Sequence, residues 1–320
     1  MTLRESVIFV WGMNMRVVVF LLLVALASGC ASPSQTLSSR EPVSTDTGSV
    51  VAYQAEDNIL QWYDIPYAQA PVGDLRWRAP KALPITDAPI ARSADPIICP
   101  QEAGFVSGVE GESAIGSEDC LYLDVTAPAD ADGNLPVMFW IHGGGNTAGH
   151  KNDYDFSRLA ANQNVVVVTI NYRLGPLGWF SHPSLDTGPG AIANFGTLDI
   201  IAALGWVQRN IAQFGGDKDN VTIFGESAGG HNVFTMLASP LSDGLFHKAI
   251  SQSGYVRSMS PREAYNRDRE FPEIDRGSWE FTGKLGLDPE TVSADALRAI
   301  DSNTIISTYF GMPSDHRSPG

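Results

Sequence analysis

The chain has 320 residues, 43% hydrophobic and 18% charged, and a formal net charge of -15 at pH 7. That balance describes a globular protein able to bury a sizeable core and excludes a disordered chain. The acidic charge excludes nucleic acid as a partner, since phosphate binding requires a basic surface, and its simplest meaning is solubility.

The N-terminus reads as targeting rather than fold. Residues 17–27 form an unbroken apolar run after Met15 and Arg16. A cationic start, a short apolar stretch and small residues at its end make a secretory signal, and the run is short for a membrane-spanning helix. It closes with Leu26-Ala27-Ser28-Gly29-Cys30, which resembles a bacterial lipoprotein processing site. At such a site Cys30 becomes a lipid-bearing N-terminus, placing the protein outside the cytoplasm, periplasmic or cell-surface, on a membrane. Ordinary signal cleavage nearby, with Cys30 incidental, is the competing reading. A weaker apolar patch at residues 7–11 precedes Met15, where translation is expected to start. The organisation is then a signal over 1–30, a flexible Ser/Thr/Pro-rich tether over 31–48, and an α/β domain over 49–320.

Short strands are expected at 50–53 and 59–62, followed by an irregular stretch punctuated by Pro66, Pro71 and Gly73. Residues 99–120 are mostly Gly, Ser, Glu and Ala and read as a surface loop. Of three cysteines, a lipidated Cys30 leaves Cys99 and Cys120. An oxidising compartment would pair them; two free buried thiols are the alternative. From residue 121 the pattern turns α/β. Residues 121–126 alternate, while 137–141 and 165–170 are continuous apolar runs suited to strands buried on both faces. A helix is predicted over 194–214, with Ile200, Leu204, Val207 and Ile211 on one face and Gly215-Gly216 ending it. A strand at 221–224, a helix at 228–238 and a strand at 249–251 follow. This alternation predicts a doubly wound, mostly parallel sheet. Beyond Gly254 the chain is charged over 257–276, with short helices expected at 279–285 and 294–299. The polar stretch 311–320 does not read as a finished domain edge.

Two motifs carry chemistry. Gly225-Glu226-Ser227-Ala228-Gly229 lies between a predicted strand and a predicted helix, the context a nucleophile elbow requires. There a serine is held in strained backbone, the flanking glycines let strand and helix converge, and the helix N-terminus favours negative charge. His142-Gly143-Gly144-Gly145 directly follows the strand at 137–141. Acyl transfer builds charge on an oxygen, and inward-facing backbone N–H groups stabilise it; one such donor is typically worth about 2.7–4 kcal/mol. Amides of this loop with that of Ala228 would form an oxyanion hole. A serine hydroxyl also needs a base oriented by a carboxylate. His142 reads as a loop-positioning residue and His231, one turn past Ser227, as a packing residue. Glu226 points away from where the base's partner belongs. His150, His182 and His247 are isolated, and Asp315-His316 sits in a polar tail. The acid and base are therefore left unassigned.

The chain resembles type-B carboxylesterases, the cholinesterase-like branch of the α/β-hydrolases, from about residue 50 to 254 and more faintly to about 305. The resemblance rests on Ile65-Pro66-Tyr67-Ala68, Pro71-Val72-Gly73, Leu75-Arg76-Trp77, the block Ser117 to Leu123, the His142 loop, Asn171-Tyr172-Arg173-Leu174-Gly175, Asn194-Phe195-Gly196, Phe214-Gly215-Gly216-Asp217, the Ser227 elbow and Ser251-Gln252-Ser253-Gly254. It implies that Ser227 is the nucleophile, that the amides of Gly144, Gly145 and Ala228 form the oxyanion hole, and that Cys99 and Cys120 close the first disulfide loop. It implies hydrolysis of small carboxylic esters through an acyl-enzyme, without metal or cofactor. There are departures. Between Cys99 and Cys120 there is no tryptophan, only Phe105 as a large aromatic hydrocarbon ring, which disfavours choline esters. Asn146 stands where the family often has an aromatic residue, a change expected at the acyl pocket. The family's acid and histidine lie further along than residue 320, so the domain is expected to be incomplete on its C-terminal side, with an uncovered sheet edge and impaired turnover. A non-catalytic surface interaction module, and hydrolysis of amides instead of esters, are the competing functions. No oligomeric state is assigned.

Overall fold

A computed structural model describes residues 41–55, 58–104, 107–131, 133–185, 193–256 and 258–313. The expected signal, the expected lipidation site Cys30, the first part of the expected tether, Phe105 and Asp315-His316 lie outside the described residues. The strands are β1 (Val43–Thr45), β2 (Thr47–Val50), β3 (Tyr53–Gln54), β4 (Ile59–Pro66), β5 (Thr86–Ile90), β6 (Gln101–Gly104), β7 (Val109–Ile115), β8 (Tyr122–Pro128), β9 (Leu135–Ile141), β10 (Val166–Ile170), β11 (Gly216–Glu226) and β12 (Lys248–Gln252). The helices are α1 (Ser157–Gln163), α2 (Gly175–Gly178), α3 (Phe195–Asn210), α4 (Ala228–Ala238), α5 (Pro261–Tyr265), α6 (Ser278–Lys284), α7 (Ala294–Arg298) and α8 (Ser302–Gly311).

Seven strands make the main sheet, in the order β12-β11-β9-β10-β8-β4-β3. β12, β11, β9 and β10 form the parallel block, and β8, β4 and β3 join it antiparallel. The apolar runs explain the centre: every residue of β10 is buried, as are Val221 to Gly225 of β11. On α3 the predicted face holds, with Ile200, Leu204 and Val207 fully buried. Each contributes roughly 1.5–3 kcal/mol of burial. The helix stops at Asn210, tightens into a 3-10 turn over Ile211–Phe214 and ends on Gly215 at φ 82°. β12 is the outer strand, with Lys248, Ala249, Ile250 and Gln252 exposed.

Three expectations are corrected. The tether does not run to Gly48: β1 pairs with β2, Trp206 Nε1 donates to Thr47 Oγ1 at 3.1 Å, and Asn210 Nδ2 donates to Asp46. Ser and Thr in this stretch are β-branched or small residues that suit a half-buried strand as well as a linker. The disulfide-closed segment contains the hairpin β6-β7, and its first residue, Gln101, is fully buried. The strand expected at 50–53 is broken, β2 ending at Val50 and β3 starting at Tyr53.

A second core unites Trp77, Phe180, Phe281, Leu297, Ile305 and Tyr309. It brings in α8, which sequence reading passed over. Its signal was the cap at Asp301, whose side chain accepts from the Thr304 amide, before Ile305, Ile306 and Tyr309. Arg76 ties this unit to the main body: it pairs with Glu118 and donates to the carbonyl oxygens of Arg298 and Ile300. No helix of the described residues is long and apolar enough to cross a membrane.

Candidate active site

β9 leads through α1 to β10 on one side, while β11, its other neighbour, leads through α4 to β12 on the opposite side. Adjacent strands whose connections leave in opposite directions open a crevice at their C-terminal ends, where doubly wound sheets bind ligands. Ile141 and Gly225 are paired there, so the residues that follow them, the His142 loop and Ser227, share that crevice.

Ser227 caps α4 with φ 55° and ψ -118°. A non-glycine residue in that region carries about 1–3 kcal/mol of strain and persists only when its surroundings dictate it. They do: the Ser227 amide donates to Gln252 O at 2.9 Å, and its carbonyl accepts from the His231 amide at 3.0 Å. A side chain at Gly229 would begin 2.0 Å from Ile141 O, so the helix can approach β9 this closely only with glycine there. Ser227 is half-buried, and among the described residues no side chain hydrogen-bonds its hydroxyl. Gly143 lies against it; a Cβ on Gly143 would sit 3.4 Å from Ser227 Cβ and 3.2 Å from Glu226 Oε2.

Beyond Gly143 the chain turns tightly. Gly144, Gly145 and Asn146 have φ of 92°, 65° and 57°, and the amides of Thr147 and Ala148 both donate to Gly144 O at 3.0 Å. Among the described residues no protein group accepts from the amides of Gly144, Gly145 or Ala228. Ala228 opens α4, where the first N–H groups of a helix have no partner within it.

His142 is buried and stacks on Tyr172, ring centroids 4.3 Å apart. Its Nδ1 lies 2.9 Å from Gly143 O; a carbonyl only accepts, so the proton is on Nδ1. Burial pushes its pKa down to about 4, against the opposing influence of Asp153 and the Gly143 hydrogen bond. The Tyr172 hydroxyl donates to His142 O at 2.7 Å, and burial holds that hydroxyl protonated. Asn146 is placed at the turn's third position. Its side chain is buried, accepting from Asn232 Nδ2 at 2.9 Å, and so braces the loop against α4. Sequence reading assigned no role to Tyr172, Asn232 or Gln101, whose amide hydrogen-bonds Gly149 at the loop's far end. Nor did it single out Lys151, which is 2% exposed and lies within 2.8 Å of Asp64 and Asp124. Burial pushes the Asp124 carboxyl up, Lys151 opposing.

The remaining histidines are engaged elsewhere. His231 Nδ1 donates to Tyr255 O at 2.7 Å and stacks on that ring. His247 Nδ1 accepts from Val221 N, midway along β11 and six residues before Ser227. His150 pairs with Asp153 and His182 with Ser184. A disulfide joins Cys99 and Cys120, Cα atoms 5.0 Å apart.

A family model described as "Carboxylesterase family" matches residues 42–271. The para-nitrobenzyl esterase of Bacillus subtilis (strain 168) is 40% identical over 273 residues, covering 84% of this chain and 55% of that protein. Liver carboxylesterase of Sus scrofa is 44% identical over 256 residues, covering 75% and 44%. A solved structure titled thermophylic PNB esterase superposes with a TM-score of 0.72 at 38% identity, over 85% of this chain and 53% of that one. The chain spans about half the length of the curated relatives it matches.

Proposed function

The chain belongs to the carboxylesterase family of α/β-hydrolases, and from that premise we propose that the protein hydrolyses carboxylic esters through an acyl-enzyme on Ser227. The Ser227 oxygen attacks the ester carbonyl, and the C–O bond that forms places negative charge on the carbonyl oxygen. The amides of Gly144, Gly145 and Ala228 receive that charge, helped by the N-terminus of α4. Collapse breaks the ester C–O bond, and the departing alkoxide takes the proton that the Ser227 hydroxyl gave up, so the alcohol leaves and the acyl group stays on Ser227 until water attacks it and releases the acid. The observation that supports this most is the strained bend at Ser227, packed against Gly143 beside amides without protein acceptors. No energetic need of folding explains such strain beside such a loop; acyl transfer does.

The base and its carboxylate are unassigned. Among the described residues no histidine hydrogen-bonds the Ser227 hydroxyl, and His142, whose Nε2 has no partner, is buried against Tyr172, so turnover by this chain is expected to be impaired. An intact oxyanion hole and binding surface alone can still leave about 10³–10⁴-fold acceleration over water. The test is a fluorophosphonate probe, with the adduct mapped by mass spectrometry. One adduct on Ser227, absent in Ser227→Ala, is the expected result; a folded protein that never labels contradicts the reading. Comparing nitrophenyl esters with anilides then separates ester from amide hydrolysis.

The same proposal includes export and a lipid anchor at Cys30, supported by the run at 17–27 and by a disulfide suited to an oxidising compartment. Expression in a bacterial host with radiolabelled palmitate checks it: label and membrane fractionation should both disappear in Cys30→Ser.

A further inference from the structure

The turn that presents the Gly144 and Gly145 amides is fixed at its near end by β9. Its far end, Gly149, is fixed by a side chain from a distant part of the chain. Gln101 is 0% exposed and stands two residues after Cys99. Its Nε2 donates to Gly149 O at 3.0 Å and to Cys99 O at 3.0 Å, while its Oε1 accepts from Gly149 N at 2.8 Å. Both N–H groups of the amide and one lone pair are thereby used, in a ring that copies the pairing between two strands.

Gly149 in turn touches the loop's root. It has φ 104°, and a Cβ there would lie 2.5 Å from His142 Nδ1, the atom bonded to Gly143 O. A shift of Gly149 therefore moves the His142 ring and, through it, the peptide that leads into Gly144. The Cys99 carbonyl, the other end of the clamp, belongs to a residue covalently tied to Cys120 beside β8. A chain of four contacts, Cys99 to Gln101, Gln101 to Gly149, Gly149 to His142 and His142 to Gly143, thus runs from the disulfide to the peptide that precedes the donors.

We propose that Gln101 is a positioning residue, coupling the Cys99–Cys120 disulfide to the amides of Gly144 and Gly145 and so setting the oxyanion hole. This rests on the reading of those amides as the acyl-transfer site. Glutamate at 101 keeps the acceptor and loses both donors; methionine keeps the volume and loses all three hydrogen bonds; asparagine keeps the chemistry and loses the reach.

Hydrogen–deuterium exchange of the 320-residue chain tests the coupling without requiring turnover. In Gln101→Met, the amides of Thr147 and Ala148, which donate to Gly144 O, should exchange at least about tenfold faster, while those of α3 and the second half of α4 stay within about twofold. Reducing the disulfide in the unaltered protein should produce the same local change, which needs no variant to fold. Reduction of Gln101→Met should then add little, because both changes cut one chain of contacts. Unchanged exchange at Thr147 and Ala148 on reduction, or full additivity in the variant, overturns the coupling.

Fluorophosphonate labelling supplies the functional arm. The first-order labelling step of Gln101→Met should slow about tenfold or more, with reversible probe affinity unchanged. Loosened exchange with undiminished labelling would overturn the positioning role. If the unaltered protein does not label at all, the esterase reading fails, and the exchange arm still decides whether the clamp exists.

Discussion

The bend after β11 and the turn after β9 face each other across one crevice, yet different forces hold them. Around Ser227 the constraint is excluded volume. Residues 225 to 230 converge on Ile141 and Gln252, and a single methylene at Gly229 would meet a carbonyl oxygen at 2.0 Å. Around Gly144 local crowding is present too, since a Cβ there would meet Ala148 O at 2.2 Å, but the larger constraint is polar and comes from afar. Gln101 holds Gly149, Tyr172 holds the His142 carbonyl, Asn232 holds Asn146, and Lys151 anchors the end of the loop between β4 and β8. A steric constraint is written into a few adjacent residues; a polar one is shared among many. The bend should therefore fail as a unit and the turn by degrees.

The steepest way to break the bend is Gly229→Ala. With backbone on the receiving side, nothing can yield cheaply, and the loss should exceed about 4 kcal/mol. Circular dichroism and urea unfolding should show no cooperative native state, whereas an ordinary transition would mean that α4 can slide off β9. On the turn's side the largest effect belongs to Lys151→Met, which leaves the carboxylates of Asp64 and Asp124 buried without their cation. Breaking a buried pair in this way costs about 3–5 kcal/mol, read from the urea midpoint. The double change with Asp124→Asn should recover part of it.

A smaller effect comes from pH. The folded His142 has its pKa depressed to about 4 from an ordinary 6.5, so between those values the unfolded chain binds a proton that the folded one refuses. Stability is complete above pH 6.5 and falls as pH drops through the window, at about 1.4 kcal/mol per pH unit for one proton. His150 and His182, also depressed by burial, act with the same sign. The slope unique to His142 is therefore the difference between the protein and His142→Asn in urea unfolding at pH 5 and pH 7; equal slopes would refute it. Smallest is Tyr172→Phe, which deletes one hydroxyl bond to the His142 carbonyl, about 1 kcal/mol. It should slow Ser227 labelling more than it lowers the unfolding midpoint, because the turn loosens while the core remains.

The same contrast explains what could be read in advance. Continuous apolar runs announced β9, β10 and β11, and a serine between glycines at a strand-to-helix junction announced the bend, because these signals lie within a few residues. Gln101 gave none. A glutamine among Gly, Ser and Glu has the composition of surface, and only pairing with Gly149, 48 positions away, buries it. Lys151 likewise looks solvent-exposed until Asp64 and Asp124 arrive from β4 and β8. The helix α8 was hidden by β-branched and hydroxyl residues of weak helix propensity, which packing on Trp77 and Phe281 overrides.

The geometry at the centre of this account is open to one direct measurement, a crystal structure of the protein phosphonylated by the fluorophosphonate probe. The adduct should sit on the oxygen of Ser227, with its phosphoryl oxygen about 2.7–3.1 Å from the amide nitrogens of Gly144, Gly145 and Ala228. A phosphoryl oxygen turned to solvent, or an adduct on any other residue, would contradict it.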